Sequence, residues 1–153
     1  VSRAADSAAR ALYDEALALA RERAWAPYSG YRVGAVVVDG EGCRGVGVNV
    51  ENAASPAGLC AERAALAAYV AAGGRAPTLV AVAAADGGDC LPCGVCRQAL
   101  AEFGEPEVVA VADGRLAVFA LAELLPRPFR LPRAGERPAA RREGDGAEGG
   151  GGA

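Results

Sequence analysis

The chain has no histidine among its 153 residues, which excludes a Cys-His nucleophile and a Ser-His-Asp triad outright. Methionine is also absent, so Val1 is expected to follow a trimmed or processed start. No apolar run reaches the roughly 18 residues that a membrane span needs, and the first residues lack the charged, apolar and cleavage regions of a signal peptide. The expectation is a cytoplasmic protein that does not engage a membrane. Excess positive charge is missing as well. With 16 basic against 19 acidic residues, a net charge of −3 and a pI near 5.1, there is no broad basic surface to hold a phosphate backbone, and nucleic acid is not an expected partner. A small or weakly charged substrate fits better.

Over half of the chain is apolar, enough for one sizeable core and one catalytic domain, taken as residues 1–133. From Ser7 to about Ala24, apolar residues recur at helical spacing (Ala8, Leu12, Ala16, Leu19, Ala20), which predicts an amphipathic helix. Pro27-Tyr28-Ser29-Gly30 ends it. Two extended stretches follow, Tyr31 to Val38 and Cys43 to Val50, and Asp39-Gly40 between them is a short hairpin signal. After a loop with Pro56 and Gly58, Cys60 to Ala72 reads as a helix stopped by Gly73-Gly74. An apolar run at Leu79 to Ala85, a Gly-Gly turn, a short helix from about Gly94 to Phe103 and another apolar run at Val108 to Ala112 complete a layered α/β domain. From Ala134 to Ala153 the chain is Gly, Arg, Glu and Pro with almost no large apolar residue. Such a segment cannot repay the entropy of ordering itself, so a disordered tail is expected.

The five cysteines are expected to be reduced in a cytoplasmic setting, so metal ligation or catalysis outranks disulfide formation for a regularly spaced set. The informative pattern is Cys60-Ala61-Glu62 followed well downstream by Pro92-Cys93-Gly94-Val95-Cys96. Three thiolates on two helix starts can close around one Zn²⁺ and leave a fourth tetrahedral position for water, the mark of a catalytic site. A Cys-x-x-Cys pair with one further ligand and a non-ligating Glu is similar to the signature of the zinc deaminases. Glu62 would then move the protons. Three thiolates donate much negative charge, and the positive ends of the two helices together with Arg63 are the candidates to offset it. Rival readings stay open: a redox pair or a structural zinc knuckle for Cys93 and Cys96, a competing pair from Cys90 and Cys93, and a merely solvated helix position for Glu62. Cys43 and Cys90 read as ordinary small residues.

On these motifs the sequence resembles the small homotetrameric cytidine deaminases, from about Pro27 to Phe129. Pro27-Tyr28-Ser29 with Val33-Gly34-Ala35 is similar to that family's first strand, Asn49-Val50-Glu51-Asn52-Ala53 to its ribose-binding segment, Cys60-Ala61-Glu62-Arg63 and Pro92-Cys93-Gly94-Val95-Cys96-Arg97-Gln98 to its zinc segments, and Leu124-Leu125-Pro126 with Phe129 to its C-terminal motif. The resemblance implies a three-layer α/β fold with a mixed sheet flanked by helices, a homotetramer, bound Zn²⁺, and a role in pyrimidine salvage. It implies that Asn49 and Glu51 bind the sugar hydroxyls, that Glu62 shuttles protons, and that Ala61 and the Leu91-Pro92 region contact the base edge. Phe129 would reach a neighbouring subunit's pocket. The expected reaction is hydrolytic loss of ammonia from cytidine or deoxycytidine. Three departures bear on substrate choice: Tyr31 stands where the family usually has Phe, Ser55 where many members have an aromatic residue, and Leu91 where Ser is common. They leave room for a modified cytosine nucleoside of the blasticidin type or a purine analogue. A non-catalytic zinc-binding interaction module is the rival of a different class.

Overall fold

The computed structural model describes residues 2–134; the expected tail, from residue 135 onward, lies outside the described residues. Six strands form one sheet in the order β1-β6-β5-β4-β2-β3, with β1 at Arg3–Ala4, β2 at Val33–Val38, β3 at Arg44–Val48, β4 at Leu79–Ala84, β5 at Glu107–Ala112 and β6 at Arg115–Ala120. β4 and β5 pair in parallel and the other neighbours are antiparallel, so the sheet is mixed, as expected. Helices α1 (Ser7–Arg23), α2 (Ala61–Ala71), α3 (Gly94–Ala101) and the short α4 (Leu121–Leu124) complete the fold.

The near-continuous apolar runs of β2, β4 and β5 follow from burial on both faces of the sheet. Val33, Ala35 and Val37 of β2, with Val80, Val82 and Ala84 of β4, face the layer that contains α2 and α3. Val36 of β2 and Ala81 and Ala83 of β4 face α1 on the other side. Each fully buried valine contributes about 1.5–3 kcal/mol relative to an exposed one. In α1 the buried positions Ala9, Tyr13, Ala16, Leu19 and Ala20 recur at spacings of three and four, and Asp6 caps the helix by accepting from the Ala9 N–H at 2.9 Å. The three layers match the expectation. None of the described helices is long and apolar enough to cross a membrane.

Several local expectations need correction. The first strands are shorter than the apolar stretches, and Asp39-Gly40 is not a tight turn. Val38 pairs with Arg44, and Asp39 Oδ1 instead accepts from the N–H groups of Glu41 and Cys43, both at 2.9 Å, folding a wider loop whose positive φ falls at Gly42. The two-residue hairpin is at Asp113-Gly114, where Ala112 pairs with Arg115 and both turn residues have positive φ (51° and 70°). The strand after it, β6, the helix α4 and the edge strand β1 were not anticipated.

Candidate metal centre

The site is built on how closely α2 lies against β3. On one face of β3 stand Gly45 and Gly47. A Cβ at Gly45 would collide with Tyr69 N and Ala65 O, and one at Gly47 with Ala65 N and Ala61 O. Bare glycine backbone therefore lets the helix backbone touch the sheet. This fixes the start of α2, where Cys60 is the extended N-cap residue without a side-chain cap bond and Glu62 lies in the first turn. The chain entering α2 is pinned by a reciprocal pair between Val50 and Leu59, 2.9 Å each way. Across from it, Cys93 is the extended N-cap of α3 and Cys96 lies in its first turn, buried.

These two helix starts bring the sulfur atoms of Cys60, Cys93 and Cys96 within 4.8 Å of one another, with Cys60 and Cys93 at 4.0 Å. Thiolates bound tetrahedrally at about 2.3 Å from one zinc stand about 3.8 Å apart, so the spacing fits that ion. Among the described residues no fourth His, Cys or carboxylate joins the group, which leaves one tetrahedral position for chemistry. An all-sulfur donor set also suits zinc over the harder divalent ions. The Arg63 Nε is buried without a hydrogen-bond partner; the Cys60 and Cys96 sulfurs beside it, working against burial, raise the guanidinium's affinity for its proton. A cation so placed offsets thiolate charge.

Burial pushes the Cys60 thiol up, aided by the negative charge of Cys93, and pushes Cys96 up further beside Glu62 and Cys60. Cys93 goes the other way: burial raises it, but backbone N–H groups of Cys96 and Val95 at the α3 start, with the neighbouring sulfurs, bring it below the ordinary thiol value. Glu62 is the buried charged residue of the described core, 5% exposed. Burial raises its carboxyl above the usual range, while its own backbone N–H, Cys96 and Arg63 moderate the rise.

A cleft of about 610 Å³ opens beside the cluster, lined among others by Asn49, Glu51, Ser55, Cys60 and Arg63. Asn49 is anchored by its own side chain: Oδ1 accepts from Val33 N–H and Nδ2 donates to Tyr31 O, both at 2.8 Å. Glu51 is held by the N–H groups of Tyr28 (2.9 Å) and Ser29 (3.2 Å) and by the Ser29 hydroxyl. The Ser29 hydroxyl and the Tyr28 N–H hold its carboxyl below the usual range. Both side chains therefore reach the cleft with fixed orientation. Tyr31 is half exposed, its hydroxyl 3.5 Å from Asp89 O, and burial with the Cys90 thiol beside it raises its pKa. Ala61 is fully buried at the α2 start and Leu91 is partly exposed just before Pro92. Phe129 does not line the cleft; it is 68% exposed, on a segment tied to α3.

The competing pair Cys90 and Cys93 is not formed: Cys90 is buried beside Tyr31 and stands outside the sulfur group. Cys43 lies at the other end of α2, its sulfur 3.8 Å from Tyr69 O and 3.7 Å from Ala72 O. Two supports of the site escaped the sequence reading. Asp89 accepts from the N–H groups of Asp113 (3.0 Å) and Gly114 (2.9 Å), tying the loop before Cys93 to the β5–β6 turn. Arg97 donates to Pro92 O (2.6 Å) and Leu124 O (2.7 Å). Arg97 was visible as part of a motif, but nothing in the sequence marks the role of Asp89.

Comparison with known proteins matches residues 6–112 to a family model described as the cytidine and deoxycytidylate deaminase zinc-binding region. The cytidine deaminase of Sporosarcina psychrophila is 39% identical over 113 residues, covering 72% of this chain and 83% of that protein. That of Mycobacterium tuberculosis strain H37Rv is 37% identical over 108 residues, covering 71% and 80%. Among solved structures, the cytidine deaminase from Burkholderia pseudomallei superposes with a TM-score of 0.70 at 42% identity, covering 78% of this chain and 98% of that one.

Proposed function

Because the chain belongs to the cytidine and deoxycytidylate deaminase family and is a zinc-dependent hydrolytic deaminase, we propose that its substrate is cytidine or deoxycytidine, converted to uridine or deoxyuridine with release of ammonia. The observation that carries this is the buried Glu62 carboxyl set in the turn that follows Cys60, beside the three-sulfur group. Cys60, Cys93 and Cys96 hold the zinc. Zinc bound there supplies Lewis acidity, lowering the pKa of a water at its open position.

The chain's own residues do the rest. Glu62 accepts a proton as the water oxygen bonds to the amine-bearing ring carbon, and passes it to the adjacent ring nitrogen. The same carboxyl then takes the remaining proton from the added hydroxyl oxygen and delivers it to the amine nitrogen as the carbon–nitrogen bond breaks, so that the carbonyl forms and ammonia leaves. Arg63 and the two helix N-termini offset the thiolate charge. In the cleft, Asn49 and Glu51 present an amide and a carboxylate to the sugar hydroxyls, and a site built to bond hydroxyls rejects analogues that lack them. The Ala61 backbone and Leu91 border the base, with Tyr31 at its edge. Phe129 reaches the pocket of a neighbouring copy in a homotetramer. A cytoplasmic place in pyrimidine salvage accords with this chemistry.

A second reading keeps the mechanism and changes the base. It rests on Ser55, a small side chain lining the cleft, and on the added hydroxyl of Tyr31, which stands 3.5 Å from Asp89 O in the loop before Cys93; these departures suit a modified cytosine nucleoside or a purine analogue.

The test is ammonia release by zinc-loaded protein across cytidine, deoxycytidine, modified cytidines, adenosine and guanosine, with Glu62→Gln as control. The expected result is turnover of cytidine or deoxycytidine that falls about a thousandfold in the variant, the scale of a lost general acid and base, with zinc content unchanged. Turnover confined to modified nucleosides selects the second reading. Turnover that survives Glu62→Gln removes Glu62 from its role.

A further inference from the structure

Two consecutive side chains of α3, immediately after Cys96, reach out to the C-terminal segment. Arg97 donates to Leu124 O at 2.7 Å and, through Nε, to Pro92 O at 2.6 Å. Gln98 makes a reciprocal pair with Phe129: its Nε2 donates to Phe129 O at 2.8 Å and its Oε1 accepts from Phe129 N–H at 2.9 Å. One side-chain amide thus satisfies both backbone groups of a single residue, as a neighbouring strand would. Between the two anchors the chain reads Leu125-Pro126-Arg127-Pro128. Each proline locks its own φ and restricts the residue before it, so the strap has few conformations to sample.

The result is an unusual pairing of order and exposure. The backbone of Phe129 is fixed from both sides, while the residue is 68% exposed. Holding a backbone costs conformational entropy, and here the ordering leaves most of an aromatic ring in water instead of burying it. Leu131 (64%) and Val95 (61%), the latter one turn before Gln98 on α3, are also uncovered. A ring presented on a stiff, doubly anchored strap beside a metal-bearing helix is ready to fill a site on another molecule without a further ordering cost.

We propose that Gln98 is a positioning residue for substrate binding in a neighbouring copy of the chain, acting through Phe129. This rests on the assembly and the Phe129 role proposed above. Gln98 touches neither substrate nor metal. It sets where the Phe129 ring enters the partner's pocket, and Arg97 fixes the base of the same strap to the loop that precedes Cys93.

The experiment is a double-mutant cycle on the zinc-loaded, full-length protein, reading KM and kcat for the nucleoside that the wild type turns over. Phe129→Ala is expected to raise KM about tenfold, the scale of a lost aromatic contact. Gln98→Ala should raise KM about fivefold, in line with the loss of a hydrogen-bonded anchor, with kcat within about twofold and zinc content unchanged. Gln98→Met keeps the side chain's length without either hydrogen bond and should behave like Gln98→Ala. The variant with both Gln98 and Phe129 replaced by Ala should match Phe129→Ala alone, because an anchor has nothing to place once the ring is gone. If Phe129→Ala raises KM but the Gln98 variants do not, or if their effects multiply, Gln98 is not the positioning residue. A lowered melting temperature with unchanged KM in the Gln98 variants means the same. If Phe129→Ala itself leaves KM unchanged, the reading of Phe129 fails and the role of Gln98 goes with it.

Discussion

The two helices that start at the metal centre are held in place by different physics. α2 lies with its backbone against the glycines of β3, and its first turn, Ala61 and Glu62, is buried. α3 begins at an exposed Cys93 after a loop secured by polar tethers: Asp89 to the Asp113 and Gly114 N–H groups, Cys90 N–H to Val111 O at 3.0 Å, and Arg97 to Pro92 O. Packed backbone has a steep response to displacement, since a fraction of an ångström brings hard-sphere overlap. Hydrogen-bonded tethers are softer and contribute about 0.5–1.5 kcal/mol each. Glu62, the proposed proton carrier, therefore sits on the stiff half of the site and two of the three clustered sulfurs on the adjustable half. Such a division suits a centre in which Glu62 must keep its place while the ligands admit a metal ion.

The strongest challenge to this contrast is Gly47→Val. Its side chain would meet the backbone at Ala61 and Ala65, so α2 must move or the sheet must bend. The expected loss of stability is about 3 kcal/mol, at the upper end for overpacking, read from the urea midpoint. In whatever fraction stays folded, kcat should fall because Glu62 rides on the same turn. A valine accepted with an unchanged midpoint would mean that α2 is not held by backbone contact.

The tethered half should respond in a different way. Asp89→Ala removes the acceptor of two backbone N–H groups and should cost about 1–2 kcal/mol, as hydrogen bonds to a charged group do when partly exposed. Its signature lies in the metal. Transfer of zinc to a competing chelator should accelerate about tenfold, as happens when supports behind metal ligands are lost, while kcat of the zinc-replete variant stays near wild type. Unchanged zinc release would show that the loop keeps Cys93 in place without Asp89.

The same division explains what could be read in the sequence. Cys60, Cys93 and Cys96 were legible because ligand spacing and helix starts are local features, and the structure places their sulfurs together. The layered fold was legible from the apolar runs of β2, β4 and β5. The two Asp-Gly pairs show where local reading ends. Asp113-Gly114 makes the tight turn that the dipeptide favours, whereas Asp39 spends its carboxylate on Glu41, Cys43 and the Tyr69 hydroxyl, and the turn widens. Tyr69 is distant in sequence, so its claim on Asp39 could not be seen. Asp89 escaped notice for the same reason, since its partners lie on a turn that only the folded sheet brings near. Gly45 and Gly47 read as weak strand residues until α2 is laid upon them.

Asp39 also provides the smallest predicted effect, at the end of α2 away from the metal. Its carboxylate accepts from the hydroxyl of Tyr69, which is fully buried, at 2.8 Å. That bond, with the Cys43 and Glu41 N–H groups, outweighs desolvation and lowers its pKa below the ordinary 3.8. A folded-state pKa below the unfolded one means that the contribution to stability is complete above the unfolded value and is lost as pH falls through the folded value. Asp39→Asn should therefore be slightly less stable than wild type at neutral pH, with the gap closing as the solution is taken below about pH 4, near the unfolded aspartate value. Chemical denaturation of both proteins at a series of pH values reads the difference directly. A gap that stayed constant into acid would assign the loss to altered loop geometry and not to the carboxylate's charge; a closing gap would show that the packed helix, too, depends on one polar anchor, placed where it cannot disturb the metal.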